Sequence, residues 1–315
     1  MASGGIKDKI LAWVKIARLQ FYPMTWVAYS LGAVAASSTS QKFDLRVYGL
    51  GYAALFFVEL STILTNEYYD YGTDRLNKNA GPFTGGTRML VEGKLGFHEV
   101  KIGILTALVL VVGSGSMLIR INPVVSPFSI FLLLLIGVFL GLGYTAPPFK
   151  FSYRGFGELT VGLTHSPYVI LCGYIFQGDS WQSPLPWLLS IPLFFATLGA
   201  ITLAGIPDRL ADQEVSKKVL AVIFGPRGAV ILASFFICSA ALSGMLLWYF
   251  SIIKGIRGAM ILFVIPHGLI LLFALFKLNQ SGNYDRRIDG IMTLSLSYII
   301  WFGIIPLLAL MAGLN

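Results

Sequence analysis

The sequence predicts an all-α, polytopic membrane protein whose bundle consists of nine transmembrane helices. The chain is 56% hydrophobic and only 12% charged, with a mean hydropathy of +0.76, whereas soluble domains are about one quarter charged. Its apolar residues also fall in runs of about 20, the length of a membrane-spanning helix. Each run is expected to be helical because lipid offers the backbone no other hydrogen-bonding partner.

These apolar runs divide one transmembrane domain, residues 1–315, into its predicted elements. The chain length would also permit two soluble domains, but the spacing of the runs excludes them. The predicted spans are 19–37, 47–68, 99–119, 127–145, 156–177, 185–206, 228–250, 257–276 and 290–312.

The first element, residues 1–18, is predicted to contain an interfacial helix. Ile6, Ile10, Trp13 and Val14 recur at helical spacing, with lysines between them. Basic amphipathic helices of this kind lie along the headgroup region of a bilayer. No small-residue cleavage site follows the apolar part, so the segment is not read as a cleavable signal peptide.

The loops between the spans differ strongly in charge. With the N-terminus in the cytoplasm, 18 of the 23 Lys and Arg residues fall on the cytoplasmic side and 5 on the opposite side. Positive residues favour the cytoplasmic side of membrane proteins. The net charge of +8 is explained by this face, and we infer no nucleic-acid partner from it.

Two cytoplasmic loops, 69–98 and 207–227, are predicted to be functional because they combine acidic and basic residues. At the start of the first loop, the run LTNEYYDYGTDRLN, residues 64–77, places Asn66, Asp70 and Asp74 four residues apart. On a helix these three side chains stack on one face. The second begins with IPDRLADQEVSKK, in which Asp208 and Asp212 repeat this spacing.

The repeated acid pairs indicate a site for divalent cations. Like charges at this spacing destabilise a helix, and charge near the membrane is costly. A single such aspartate is usually a solvated charge, but recurrence at two span ends favours a site. All candidate ligands are oxygens, which suits Mg²⁺, Mn²⁺ or Ca²⁺. Basic residues that suit a diphosphate lie nearby: Arg75, Lys78, Arg88, Lys150, Arg154, Arg209 and Lys217.

Two motifs and their spacing carry a family resemblance. NEYYDYGTD resembles the first aspartate-rich motif, NDxxDxxxD, of the UbiA superfamily of intramembrane prenyltransferases, and DRLAD resembles the second, DxxxD. The nine predicted spans match the nine helices of that family. The segments GPFTGGTRMLVEG, YTAPPFKFSYRGFGELTVG and DQEVSKKVLAVIFG resemble the branch of 1,4-dihydroxy-2-naphthoate prenyltransferases.

The sequence also departs from the family pattern. Glu67 stands where the first motif usually has Asp, and Ser216 stands where this branch often has Gly. YTAPPFK also resembles chlorophyll synthases, which leaves the acceptor open.

The resemblance implies Mg²⁺-dependent transfer of a polyprenyl group from its diphosphate to an aromatic acceptor within the bilayer. The implied acceptor is 1,4-dihydroxy-2-naphthoate, in menaquinone biosynthesis, and no obligate protein partner is implied. One Mg²⁺ would be bound by Asn66, Asp70 and Asp74, and a second by Asp208 and Asp212. Lys150 joins these four aspartates as a catalytic residue. The implied diphosphate contacts are Arg18, Lys78, Arg88, Lys150 and Arg154.

Other functions remain open. A relative within the superfamily could use a chlorophyll-type acceptor, a glycerol phosphate or a sugar phosphate, or could cyclise the prenyl chain. Intramembrane carboxylates also occur in ion-coupled transporters. However, these acids lie at span ends beside basic loops, and an odd number of spans fits inverted repeats poorly.

Three of the titratable residues within predicted spans, Glu59, His165 and His267, have no role in the motifs above. Glu59 is seven residues before Asn66 on the same helical face, and a buried acid in a span suggests a function. It is interpreted either as a ring-binding or proton-handling group or as a structural residue. His165 and His267 are interpreted either as acid–base groups or as packed residues.

Overall fold

The structure, a computed structural model, describes residues 5–178 and 180–313, and its regular elements in these ranges are helical. Within them, seven helices are long and apolar enough to cross a membrane. Tyr22–Ser40 and Pro127–Gly143 are helices at the two remaining predicted segments. Neither is among those seven, so the count of nine spans stays a prediction.

The helices of the described residues are numbered here in chain order. They are α1 (Ile6–Ile16), α2 (Tyr22–Ser40), α3 (Leu45–Tyr69), α4 (Tyr71–Leu76), α5 (Phe97–Ile121), α6 (Pro127–Gly143), α7 (Gly157–Phe176), α8 (Leu185–Glu214), α9 (Leu220–Ile223), α10 (Gly225–Tyr249), α11 (Arg257–Ser281) and α12 (Asp289–Met311).

Local sequence explains where several helices begin or change pitch. The Asp44 carboxylate accepts hydrogen bonds from the backbone N–H groups of Arg46 and Val47, at 2.8 and 3.1 Å, and so caps α3. Pro127 opens α6, where its missing N–H costs no helical bond. Pro167 lies in a π-helical turn, Thr164–Tyr168, inside α7, because proline cannot donate to the regular helical ladder.

The bundle is built from a few extensive helix pairs. α3 packs on α5, α8 packs on α10, and α12 contacts both α2 and α8. α2 packs so closely on α7 that a Cβ atom at Gly32 would lie 1.9 Å from the Ile170 carbonyl oxygen. A Cβ atom at Gly173 would lie 2.1 Å from the Tyr29 carbonyl oxygen. Small residues at both positions therefore allow the two backbones to touch.

Large apolar side chains also cover the outside of the bundle. Val109 on α5, Phe128 on α6 and Leu262 on α11 are 69%, 67% and 68% exposed. Exposed large apolar side chains on several helices mark a membrane or protein contact. With the apolar helices beneath it, this surface supports an integral, multi-pass membrane protein.

The ends of two predicted elements differ from the structure. Residues 69–98 contain α4, and α8 continues to Glu214 instead of ending at 206. Asp208 and Asp212 thus lie on a helix and not in a loop. The reason is that Arg209–Glu214 contains good helix formers such as Leu, Ala, Gln and Glu, so the helix persists where its apolar character ends.

The predicted N-terminal helix is present as α1. Its Ala12 and Ile16 side chains are buried, in a cluster that includes Leu64 of α3 and Val100 of α5. Ile6 and Ile10 are exposed, as an interfacial helix requires. Lipid contact by this helix stays a prediction, and residues 1–4 of the predicted segment lie outside the described residues.

Candidate active site

The three residues of the first motif keep helical register although the helix is interrupted. α3 ends at Tyr69, and Asp70 joins it to α4. The Asp70 N–H donates to the Asn66 carbonyl oxygen at 2.8 Å, and the Asp74 N–H donates to the Asp70 carbonyl oxygen at 2.9 Å. These hydrogen bonds bridge the junction with the four-residue step of an α-helix, so the three side chains remain stacked.

Side chains from both acidic motifs meet around Lys217. Its amino group lies 2.8 Å from Asp70 Oδ2 and 3.8 Å from Asp212 Oδ1. Asp208 faces the same region, because its carboxylate accepts hydrogen bonds from Asn77 Nδ2 at 2.7 Å and from the Gly85 N–H at 3.2 Å. The two aspartate pairs therefore border one site.

Burial shapes the charge of this site. Asp70, Asp74 and Asp212 are all buried, and Lys217 is only 8% exposed. Burial, together with the Glu67 and Asp70 carboxylates, raises the pKa of Asp74 from 3.8 to about 8. For Lys217, burial alone would lower the pKa, but Asp70 and Asp212 hold it well above its usual value. The acids thus require positive charge nearby.

The residues present fit Mg²⁺. Asn66 Oδ1 is buried without a hydrogen-bond partner, and the four aspartates add only oxygen ligands. Across residues 5–178 and 180–313, no three His, Cys, Asp or Glu side chains converge as a metal cage built wholly from protein. Mg²⁺ does not need such a cage, because it binds through one or two carboxylates and completes its shell with water and phosphate.

Three of the predicted diphosphate-binding residues lie at this site. The Lys150 amino group is 4.8 Å from the centre of the Tyr153 ring, and the Tyr153 hydroxyl donates to Asp70 Oδ1 at 2.8 Å. Arg18 donates twice to Glu67 Oε1, at 3.0 and 2.5 Å. Arg88 donates to the Asp74 carbonyl oxygen at 2.9 Å and so anchors the chain that leaves α4.

The remaining basic candidates lie further out. Lys78 and Arg75 are exposed. Arg154 is also exposed, and its guanidinium donates to the Pro148 carbonyl oxygen at 2.8 Å. Arg209 pairs with the exposed Asp285 at 2.6 Å. The structure therefore does not gather these four at the aspartates, and the roles predicted for Lys78 and Arg154 stay predictions.

Sequence reasoning predicted a functional loop at 69–98 but missed how its glycine-rich segment, residues 81–87, packs against the acidic site. Thr87 donates to Glu67 through its N–H at 2.9 Å and its hydroxyl at 2.6 Å, which anchors the segment beside Arg18. Gly86 has φ +68°, and a Cβ atom there would lie 1.9 Å from Asp74 Oδ2. Adjacent glycines before Thr87 in the sequence signal such a close backbone approach.

An apolar cavity of about 230 Å³ opens beside the aspartates, between α2, α3, α6 and α7. Arg18, Asn66 and Tyr144 line the end that lies near the acids. The other lining residues are Phe21, Thr25, Leu55, Val58, Glu59, Thr62, Ile63, Gly137, Leu140, Gly141, Thr160, Val161, Thr164, His165, Tyr168 and Val169. The cavity thus connects a charged site to an apolar interior.

The two histidines of the predicted spans occupy different places. His165 lines the cavity. The His267 ring accepts a hydrogen bond from Trp301 Nε1 at Nδ1, 3.0 Å away, and its Nε2 lies 2.9 Å from the Leu294 carbonyl oxygen. Both ring nitrogens of His267 are satisfied, as expected for a packed residue.

The resemblance seen in the sequence is confirmed by comparison with known proteins. The family model described as the UbiA prenyltransferase family matches residues 25–297. The chain belongs to the UbiA prenyltransferase family. Solved UbiA structures have the same fold: a homolog from Archaeoglobus fulgidus bound to GPP and Mg²⁺ has a TM-score of 0.65, with 18% identity, over 93% of this chain and 99% of that one.

Other UbiA relatives bear on the acceptor. A 1,4-dihydroxy-2-naphthoate octaprenyltransferase of Bacillus subtilis is 29% identical over 61% of this chain and 59% of that protein. A 4-hydroxybenzoate octaprenyltransferase of Marinomonas sp. is 29% identical over 47% of this chain and 50% of that protein. The chain thus matches between one half and three fifths of these two relatives.

Proposed function

We propose that this UbiA protein transfers a polyprenyl group from a prenyl diphosphate to an aromatic acceptor, with 1,4-dihydroxy-2-naphthoate as the preferred acceptor. The observation that carries the proposal is the position of Lys217, which contacts Asp70 and lies near Asp212 beside an apolar cavity. The name of the Bacillus subtilis relative supports the choice of acceptor.

The diphosphate would bind at the aspartates. Asn66, Asp70 and Asp74 would hold one Mg²⁺ and Asp208 and Asp212 a second, and these ions would neutralise the negative charge of the leaving diphosphate. Lys217 and Lys150 would bind the outer oxygens, because ammonium groups in a buried site stabilise charge as it develops on a leaving group. Lys217 would exchange its contact with Asp70 for one with the diphosphate.

The cavity would hold the apolar parts of the substrates. An allylic carbocation is quenched by water, so ionisation requires a dry pocket. The side chains of Phe21, Tyr144 and Tyr168 line the cavity, and their rings would stabilise the cation through the negative faces of the π-systems. Leu55, Val58 and similar side chains would exclude water.

We also propose that the aspartate-bearing end of the bundle faces the cytoplasm. The support is the unequal division of Lys and Arg, with 18 of 23 on that side. Prenyl diphosphate and Mg²⁺ would then approach from the cytoplasm, and the prenyl chain would enter from the bilayer.

The test is a product assay with the purified protein in detergent. The protein is incubated with Mg²⁺, geranyl diphosphate and one acceptor at a time, namely 1,4-dihydroxy-2-naphthoate, 4-hydroxybenzoate or glycerol phosphate, and products are identified by mass. We expect a prenylated naphthoquinol that has lost its carboxylate, and no product in excess EDTA. Product formed equally well in EDTA would overturn the metal role.

Substitutions of aspartates test whether activity depends on the site or on surface charge in general. Asp70→Asn and Asp208→Asn should each lower product formation by about 100-fold or more, because each removes a carboxylate that would hold Mg²⁺ beside the charge developing on the diphosphate. Asp285→Asn is the matched control, since that aspartate is exposed and pairs with Arg209 away from the cavity. Ion flux in proteoliposomes without any prenyl diphosphate would instead indicate a transporter.

A further inference from the structure

Polar side chains from three different helices line the apolar cavity away from the aspartates. They are Thr25 of α2, Glu59 of α3 and His165 of α7. Glu59 precedes Asn66 by seven residues, which places it two helical turns, about 10 Å, along α3. None of the three belongs to the diphosphate site, so they require a separate explanation.

Two of these side chains each have a buried oxygen atom without a hydrogen-bond partner. Glu59 Oε2 and Thr25 Oγ1 are buried and make no hydrogen bond, and Thr25 is only 4% exposed. Buried polar atoms are normally paired, because an unpaired one loses its contacts with water. An isoprenoid chain cannot supply the missing bonds, since it has neither donors nor acceptors.

The third side chain is held with one nitrogen free for a ligand. His165 Nδ1 lies 3.2 Å from the Val161 carbonyl oxygen and 3.1 Å from Thr164 Oγ1. Its Nε2 is therefore the nitrogen left for a molecule in the cavity. The residue lies in the π-helical turn Thr164–Tyr168, and such turns occur frequently at functional sites.

We propose that Thr25, Glu59 and His165 form the subsite that binds the hydroxyl groups of a hydroxylated aromatic acceptor. The inference rests on the proposed function. A flat ring would pack against Leu55, Val58 and Tyr168, which also line the cavity. With its reacting carbon at the end nearest Asn66, the ring would place a hydroxyl group beside Glu59. Glu59 would act as a positioning residue, and the bond-forming step would remain at the diphosphate end.

The experiment compares two substitutions of Glu59 with a control in the same cavity. Glu59→Leu removes the hydrogen-bonding group, whereas Glu59→Gln replaces the carboxylate with an amide of the same length, which can still form hydrogen bonds. Thr62→Val is the matched control, because the Thr62 hydroxyl also lines the cavity but already donates to the Val58 carbonyl oxygen at 2.9 Å. Each variant is assayed for product, with 1,4-dihydroxy-2-naphthoate and geranyl diphosphate varied separately.

We expect Glu59→Leu to raise the KM for the aromatic acceptor about tenfold, the effect of one lost hydrogen bond. The KM for geranyl diphosphate should stay within about twofold, because only ground-state binding of the acceptor is changed. Acceptor-independent release of diphosphate should also be unchanged. Glu59→Gln should restore most of the acceptor affinity, and Thr62→Val should behave like the original protein.

Thr25→Val provides a second measurement should Glu59→Leu fail to fold. It is nearly isosteric, and its expected effect is an acceptor KM raised by about threefold to tenfold. Three results would overturn the subsite: equal changes in both KM values, an unchanged acceptor KM in Thr25→Val, or an acceptor KM that rises as much in Thr62→Val as in Thr25→Val.

The two proposals fail in distinguishable ways. If the original protein prenylates an aromatic ring but Glu59→Leu leaves the acceptor KM unchanged, only the subsite is wrong. If the original protein prenylates no aromatic ring, the proposed function fails and the subsite falls with it.

Discussion

The Lys217 amino group lies 2.8 Å from Asp70 Oδ2, although 147 residues separate the two positions. The same amino group lies 3.8 Å from Asp212 Oδ1. A single buried cation therefore balances carboxylates from both acidic motifs. Removing one partner of a buried ion pair leaves the other charge uncompensated, so this contact links the stability of the bundle to its function.

Lys217→Met should destabilise the metal-free protein by about 3–5 kcal/mol, the usual cost of breaking a buried ion pair. Added Mg²⁺ should recover part of this loss, because a divalent cation would replace the missing charge. Thermal unfolding in detergent, with EDTA or with Mg²⁺, measures both effects. Lys218→Met is the control, since Lys218 is the exposed neighbour. Equal midpoints for the two variants would contradict the prediction.

Glu67→Ala should destabilise the protein by about 3–5 kcal/mol because it leaves the half-buried Arg18 guanidinium unpaired. It also removes the acceptor for the Thr87 N–H and hydroxyl. Denaturant unfolding in mixed micelles gives the change in free energy. Glu99→Gln serves as the comparison, because its ion pair with Lys9 is exposed and surface pairs contribute about 0–1 kcal/mol. Similar losses in both variants would argue against the anchoring role.

Gly86→Ala should abolish most activity while the protein stays folded. Its added methyl group would meet Asp74 Oδ2 at 1.9 Å, and the backbone has φ +68°. Gly93→Ala controls for the backbone effect, since Gly93 has φ +64° but open space around its Cα. That control should lose only about 1–2 kcal/mol of stability and keep its activity. Equal activity of the two variants would show that the approach to Asp74 is unimportant.

The stability of the metal-free protein should depend on pH through Asp74. Its pKa is raised from 3.8 to about 8 by burial and by the Glu67 and Asp70 carboxylates. The folded state then binds more protons than the unfolded state between these two pH values. The contribution of Asp74 to the free energy of unfolding is therefore fully present below about pH 4 and is lost as the pH rises to about 8. The expected slope is about 1.4 kcal/mol per pH unit. Unfolding in EDTA at several pH values should show a smaller slope for Asp74→Asn.

The sequence predicted each long helix because apolar runs of membrane length have only one stable backbone conformation in lipid. It also predicted the stacking of Asn66, Asp70 and Asp74, which depends only on local helical spacing. Contacts between distant segments could not be predicted in this way. Asn77 donates to Asp208 across 131 residues. The Gly85 N–H of the glycine-rich segment also donates to Asp208, and the path of that segment has no periodic signal.

The basic residues show the same limit. Arg209 follows Asp208 directly, so proximity in sequence suggested a role at the diphosphate. Successive helical residues are about 100° apart around the axis, and Arg209 consequently pairs with Asp285 on the surface. Lys217 lies beyond the end of α8, yet the chain turns it back between Asp70 and Asp212. The sequence identified basic side chains suited to a diphosphate, but only the fold shows which of them lie beside the aspartates.

The backbone contact of α2 with α7 at Gly32 and Gly173 has a practical consequence for redesign. Thr25 and Val169, which both line the cavity, belong to these two helices, and the helices cannot separate or slide without breaking the backbone contact. The part of the cavity wall that α2 and α7 form therefore cannot move apart around a bulkier ligand. Attempts to admit longer or wider substrates should therefore trim Leu55 of α3 or Leu140 of α6, whose side chains line the cavity.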